Sequence, residues 1–146
     1  MSMEYKVFGK IQKPVAEVFD AVYNPQKLSG FFTTGGASGP LDKGTTVTWD
    51  FADHPGAFPV VVKETVLNEK IVLEWEATTG GYNIQVEMTF KPLDSGNTLV
   101  EIRESGWKET PNDIENSYGN CMGWSQMLCH MKAFVEHVIN LREGMY

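Results

Sequence analysis

The chain has 146 residues, 42% of them hydrophobic and 21% charged, with a formal net charge of −7. That length fits one domain with one substantial core. The acidic balance excludes a nucleic-acid surface, which needs clustered Lys and Arg, and argues equally against docking on an anionic membrane.

No stretch approaches the roughly 18 apolar residues that cross a bilayer. Residues 1–10 lack the basic-then-apolar layout of an export signal. Cys121 and Cys129 lie on one predicted helix, about 12 Å apart at roughly 1.5 Å per residue, and cannot bridge each other. Two free thiols and no export signal predict a cytoplasmic protein. Neither CxxC nor HExxH spacing is present, so no metal and no cofactor is expected. Phosphate-binding glycine motifs and a GxSxG nucleophile elbow are also missing from the sequence.

In chain order, Glu4 to Gln12 alternates and reads as a strand. Pro14 suits a first helical turn. Val15, Val18, Phe19 and Val22 then repeat at helical spacing, which predicts a short helix over 14–23. Asn24-Pro25 ends it. Gln26 to Phe32 reads as a further helical turn carrying Leu28, Phe31 and Phe32 inward. Thr33 to Gly44, with its glycines and proline, reads as a connection. Five strands follow at 45–51, 58–66, 71–77, 82–90 and 98–105. Turn residues such as Asp53-His54-Pro55-Gly56 and Asp94-Ser95-Gly96-Asn97 separate them. Clean alternation predicts antiparallel pairing with one wet face. The last segment has helical periodicity from Pro111 to about Leu141. Gly119 and Gly123 interrupt it, which points to close packing or a soft spot.

This order predicts an α+β domain with a curved antiparallel sheet and a long C-terminal helix laid across it. Four stretches carry a resemblance. They are Lys13-Pro14-Val15-Ala16-Glu17-Val18-Phe19-Asp20-Ala21; Val62-Lys63-Glu64-Thr65-Val66 through Ile71-Val72-Leu73-Glu74-Trp75; Gly96-Asn97-Thr98-Leu99-Val100-Glu101-Ile102 with Ser105-Gly106-Trp107; and Gly123-Trp124 with Leu128. With them the chain resembles the START-like, or birch-pollen-allergen-like, superfamily and its helix-grip fold. Within it, the chain looks like the family named for the C-terminal domain of the activator of the heat shock protein 90 ATPase. The resemblance implies a cavity for lipids, steroids, hormones or polyketides, and some members are enzymes. The eukaryotic cochaperone's separate N-terminal domain has no counterpart here, so stimulation of a chaperone ATPase is not expected. Phe31-Phe32 stands where the family often has Trp-Phe, which implies a changed pocket end.

The alternation places Thr98, Val100, Ile102 and Glu104 on one strand face. A carboxylate among apolar neighbours would anchor a ligand hydroxyl, amide or amine, or act as a general base. The plainer reading has Glu104 reaching solvent or pairing with Arg103 or Lys108. Glu64 carries the same ambiguity. His130 beside Cys121 and Cys129 lacks the orienting partner and oxyanion site that a nucleophile needs.

The expectation is an apolar cavity between the sheet and the first half of the long helix. Its walls would be Trp49, Phe51, Val62, Trp75, Met88, Ile102, Tyr118 and Met122, with Glu104 as the main polar group. Val18, Phe19, Val22, Leu73, Val86, Leu128 and Val135 would form the core. The expected partner is a small hydrophobic ligand, bound by a monomer or homodimer. A cavity enzyme using a carboxylate and a chaperone-associated interaction module are the alternative readings.

Overall fold

The computed structural model describes residues 3–146. The elements in chain order are β1 (Met3–Ile11), α1 (Val15–Tyr23), α2 (Pro25–Leu28), β2 (Gly36–Ala37), β3 (Thr46–Phe51), β4 (His54–Val66), β5 (Lys70–Glu76), β6 (Asn83–Asp94), β7 (Asn97–Trp107) and α3 (Pro111–His137). The seven strands form one curved antiparallel sheet in the order β1-β7-β6-β5-β4-β3-β2. Consecutive strands pair as a meander. The first strand joins the last, with Val7 opposite Ile102. The long helix α3 crosses the concave side over β1 and β7 and meets α1. This is the helix-grip arrangement that the sequence predicts.

Period-two alternation becomes burial. On β6, Ile84, Val86, Met88 and Phe90 face inward, and on β7 Thr98, Val100, Ile102 and Glu104 do the same. Val18, Phe19 and Val22 of α1, with Leu73, Val86 and Leu128, are buried as expected, while Val135 is only partly covered. Helix ends follow local chemistry. Asn24 caps α2 by accepting from the Gln26 N–H at 3.0 Å. Thr110 caps α3 by accepting from the Asp113 N–H at 3.2 Å, with Pro111 in the first turn.

The structure moves several boundaries. The hairpin between β3 and β4 turns at Ala52-Asp53, so β4 begins at His54 rather than Phe58. Asp50 makes this possible by accepting from the Gly56 N–H at 2.9 Å across an irregular register. The side-chain acceptor replaces a ladder partner, so Pro55-Gly56 does not end the strand. Gly36–Ala37 pairs with Asp50 and Trp49 inside the segment read as a connection. Helix α3 stops at His137, four residues before the expected Leu141, because Val138 turns left-handed at φ 56. No glycine marks that stop, and a β-branched residue rarely adopts this conformation. The Val138 and Ile139 N–H groups cap the Phe134 and Ala133 carbonyls.

Candidate ligand-binding site

Glu104 is fully buried on β7, opposite Tyr5 of β1 and Val86 of β6. Its Oε1 accepts from the Tyr5 hydroxyl at 2.7 Å and the Trp107 indole N–H at 2.6 Å. Oε2 accepts from the Trp124 indole N–H at 2.8 Å. The Asn120 amide donates to both oxygens, at 3.2 and 3.3 Å. A carboxylate offers about four acceptor sites, and these four side chains take them. Burial and the facing carboxylate push the Tyr5 hydroxyl well above the usual phenol range, which keeps it a donor. Glu104 therefore neither reaches solvent nor pairs with Arg103, which bonds Glu4 at 3.0 Å instead. It ties β1, β7 and α3 together.

One backbone detail completes this cluster. In a regular strand Glu104 and Trp107, three apart, would face opposite sides. Gly106 has φ 99, and the β1–β7 register slips by one between Met3 and Glu4. The bulge turns Trp107 back to the side of Glu104, where it is completely buried.

Beside this cluster lies an aromatic compartment. Trp49 of β3 meets Phe32 edge-on at 5.4 Å, Phe58 at 6.4 Å and Trp75 at 6.0 Å. Trp75 stacks on Trp124 of α3 at 5.9 Å, and Phe51 on Phe58 at 6.0 Å. Phe32 also touches Phe51 and Trp124. The Trp49 indole N–H is buried here with no acceptor. Such an unpaired donor costs about 1–3 kcal/mol. Phe51, Phe58 and Trp75 keep part of their surface in solvent, so the compartment has an edge open to water.

The segment after α3 lies against the Phe51 end of that edge. Arg142 donates twice to Asp53 at the β3–β4 turn, Nε to Oδ2 at 2.7 Å and an Nη to Oδ1 at 2.9 Å. Its guanidinium lies 4.6 Å from the Phe51 ring centre, 5.0 Å from Tyr146 and 5.7 Å from Phe32. This guanidinium holds the Asp53 carboxyl below the usual carboxylate range. The terminal Tyr146 hydroxyl donates to the Gln126 side-chain oxygen at 2.5 Å. Between this segment and α3 runs an open cleft of about 340 Å³, lined by residues that include Met122, Cys129, His130 and Leu141.

Of the expected wall residues, Trp49, Phe51 and Trp75 come together in the aromatic compartment. Val62, Met88 and Ile102 are buried in the close-packed core beneath it. Tyr118 and Met122 are exposed on the outer side of α3, at 70% and 60%, and line no space between helix and sheet. The inward stripe instead runs through Asp113, Ser117, Trp124, Met127, Leu128 and Met131. Its first two turns are polar because they meet polar partners. Asp113 accepts from Thr79, Tyr82 and Thr110. An apolar-face reading of α3 therefore took the wrong phase at its start. Gly119 and Gly123 pack against nothing within 4 Å of an added Cβ, which overturns the close-packing explanation. Glu64 lies at the surface near Lys70, 3.5 Å away. The described residues contain no grouping of three or more His, Cys, Asp or Glu able to hold a metal ion. Arg142, Asp53 and Asn120 carry no local signal in the sequence, since Arg142 meets Asp53 across 89 residues and Asn120 meets Glu104 across 16.

Residues 12–136 match the family described as Activator of Hsp90 ATPase homolog 1-like protein. The chain belongs to that family. No curated protein matches the sequence. Among solved structures, protein SSP2350 from Staphylococcus saprophyticus is 23% identical, with a TM-score of 0.82 and 96% of each chain covered. The Aha1 dimer from Colwellia psychrerythraea is 18% identical, with a TM-score of 0.72, over 94% of this chain and 97% of that one. DynU16, a putative protein in the dynemicin biosynthetic locus, is 21% identical at a TM-score of 0.77. It is matched over 92% of this chain but 47% of its own. At these identities the likeness establishes a shared fold. No helix among the described residues of this family member is long and apolar enough to cross a membrane.

Proposed function

We propose that this protein binds a small hydrophobic molecule in the aromatic compartment between β3–β5, the Phe31-Phe32 turn and α3. The observation that carries this reading is the Trp49 indole N–H, buried among aromatic rings with no acceptor. A ligand with an apolar body and one acceptor would satisfy it, and aromatic walls with few polar groups suit such a ligand. The rings fill the compartment in this structure, so binding requires them to part at the exposed edge formed by Phe51, Phe58 and Trp75. Membership of a START-like family adds support at the level of fold. The general-base reading loses ground, because Glu104 has no acceptor site left for a substrate proton. Two free thiols, Cys121 and Cys129, fit a reducing cytoplasm.

Naphthalene and 2-acetylnaphthalene test the proposal, the second adding a single carbonyl acceptor. Both should quench tryptophan fluorescence and raise the melting temperature, as any ligand of the native state does. The acetyl compound should bind more tightly, and Trp49→Phe should erase that advantage of about two- to tenfold. If neither compound changes fluorescence or melting, the compartment is plain core. Native mass spectrometry of protein purified from its own host would show any retained ligand.

A further inference from the structure

Arg142 reaches the aromatic edge from a segment that has little else to hold it there. Val138, Ile139, Leu141, Met145 and Tyr146 all keep about half or more of their surface in water. The segment buries few of its apolar side chains, and is pinned mainly by one guanidinium and by the Tyr146–Gln126 hydrogen bond. That guanidinium is itself well covered, with 12% of the Arg142 side chain and 16% of Asp53 exposed. Two parallel N–H···O bonds to a carboxylate, with aromatic faces alongside, form a recognition site for a planar cation. Two of those faces, Phe32 and Phe51, also form part of the aromatic compartment.

We propose that Asp53, Phe51 and Phe32 form a subsite for the cationic group of an aromatic amine or guanidine, and that Arg142 occupies this subsite in the ligand's place. The inference rests on the compartment binding an apolar body, and it adds the charge class of the ligand. Exchange is balanced. The ligand's cation replaces the Arg142 guanidinium on Asp53, the aromatic body enters beside Phe51 and Phe58, and Arg142 passes into water with its segment. A neutral ligand of the same shape would give Asp53 no cation in exchange for the Arg142 guanidinium, and is disfavoured for that reason. The C-terminal segment thus acts as a tethered competitor that sets how tightly a cationic ligand binds.

Phenylguanidine and its neutral isostere phenylurea test this in the unaltered 146-residue chain and its variants, with 2-acetylnaphthalene reporting on the compartment itself. Arg142→Ala should bind phenylguanidine about tenfold more tightly than the unaltered protein does, because the competitor is gone. In that variant phenylguanidine should outbind phenylurea by about tenfold, and Asp53→Asn added to Arg142→Ala should abolish the preference. In the unaltered protein, phenylguanidine should shift the NMR signal of the Arg142 Nε–H, while phenylurea leaves it in place. This measurement stands even if a variant folds poorly. Equal binding of the two isosteres with 2-acetylnaphthalene still bound would overturn the cation subsite and leave the apolar compartment standing. Failure of all three compounds to bind would overturn both readings.

Discussion

Glu104 shows how a residue's neighbours decide its role. Alternation along β7 correctly places this carboxylate inward, and an inward carboxylate among apolar residues reads as a ligand handle. The donors that occupy it lie elsewhere in the chain: Tyr5 is 99 residues away, Trp124 is 20 and Asn120 is 16. Only Trp107 is near in sequence, and its approach depends on the bulge at Gly106. Glu104→Gln puts an amide donor where the Trp107 and Trp124 indoles can only donate, so it should lower unfolding stability by about 2–5 kcal/mol. A urea midpoint within error of the unaltered protein would show that the cluster contributes nothing. His130 is the second case. It is buried, and its Nδ1 has no partner. Burial, with the Arg142 charge, lowers its pKa below the usual imidazole value, against an opposing pull from Asp53. The unfolded chain takes up this proton at about pH 6.5, and the folded chain only at lower pH. The contribution of His130 to stability is therefore complete above that pH and is lost as pH falls below it. Melting temperatures from pH 7.5 to 5.5 should fall less steeply in His130→Leu. An unchanged slope would place the acid sensitivity elsewhere.

Among the elements, strands were easier to read than α3. Strands such as β3, β6 and β7 have one wetter face and one buried face, so alternation alone fixes their orientation. The first two turns of α3 bury Asp113 against Thr79 and Tyr82, and Ser117 bonded back to the Ile114 carbonyl, while Tyr118 and Met122 face water. Hydrophobicity then points the wrong way. The two helix glycines follow from the same misreading. With open space around both positions, Gly119→Ala and Gly123→Ala should each stabilise the protein by about 0.4–1 kcal/mol, by restricting the unfolded chain and favouring the helix. Thermal unfolding of the single variants measures this. A loss of stability at either site would mean that α3 packs closely there after all. The end of α3 was illegible for a different reason. Val138 in a left-handed conformation has no sequence signature, and the polar and apolar pattern simply continues past it.

At the scale of the whole molecule, the order of periodic segments was enough to predict the helix-grip architecture. The aromatic compartment was legible too, since Trp49 and Phe51 fall on inward positions of β3 and Trp75 on β5, two strands away. Asp53 and Arg142 were not, because their ion pair exists only once the β3–β4 turn and the end of the chain meet. That same closure of distant parts governs how the protein is made. Strand β1 completes the sheet only by pairing with β7, and Glu104 lacks its full set of donors until Asn120 and Trp124 arrive on α3. A ribosome delivers the chain from the N-terminus at about 5–20 residues per second, so Tyr5 waits for most of synthesis before its acceptor appears. Folding by parts is therefore closed to this domain, even with the entire sheet already emerged. A stalled nascent chain exposed through Trp107 should be degraded readily by protease, and one exposed through the end of α3 should resist. Protection of the shorter chain would show that the sheet holds its carboxylate without the helix.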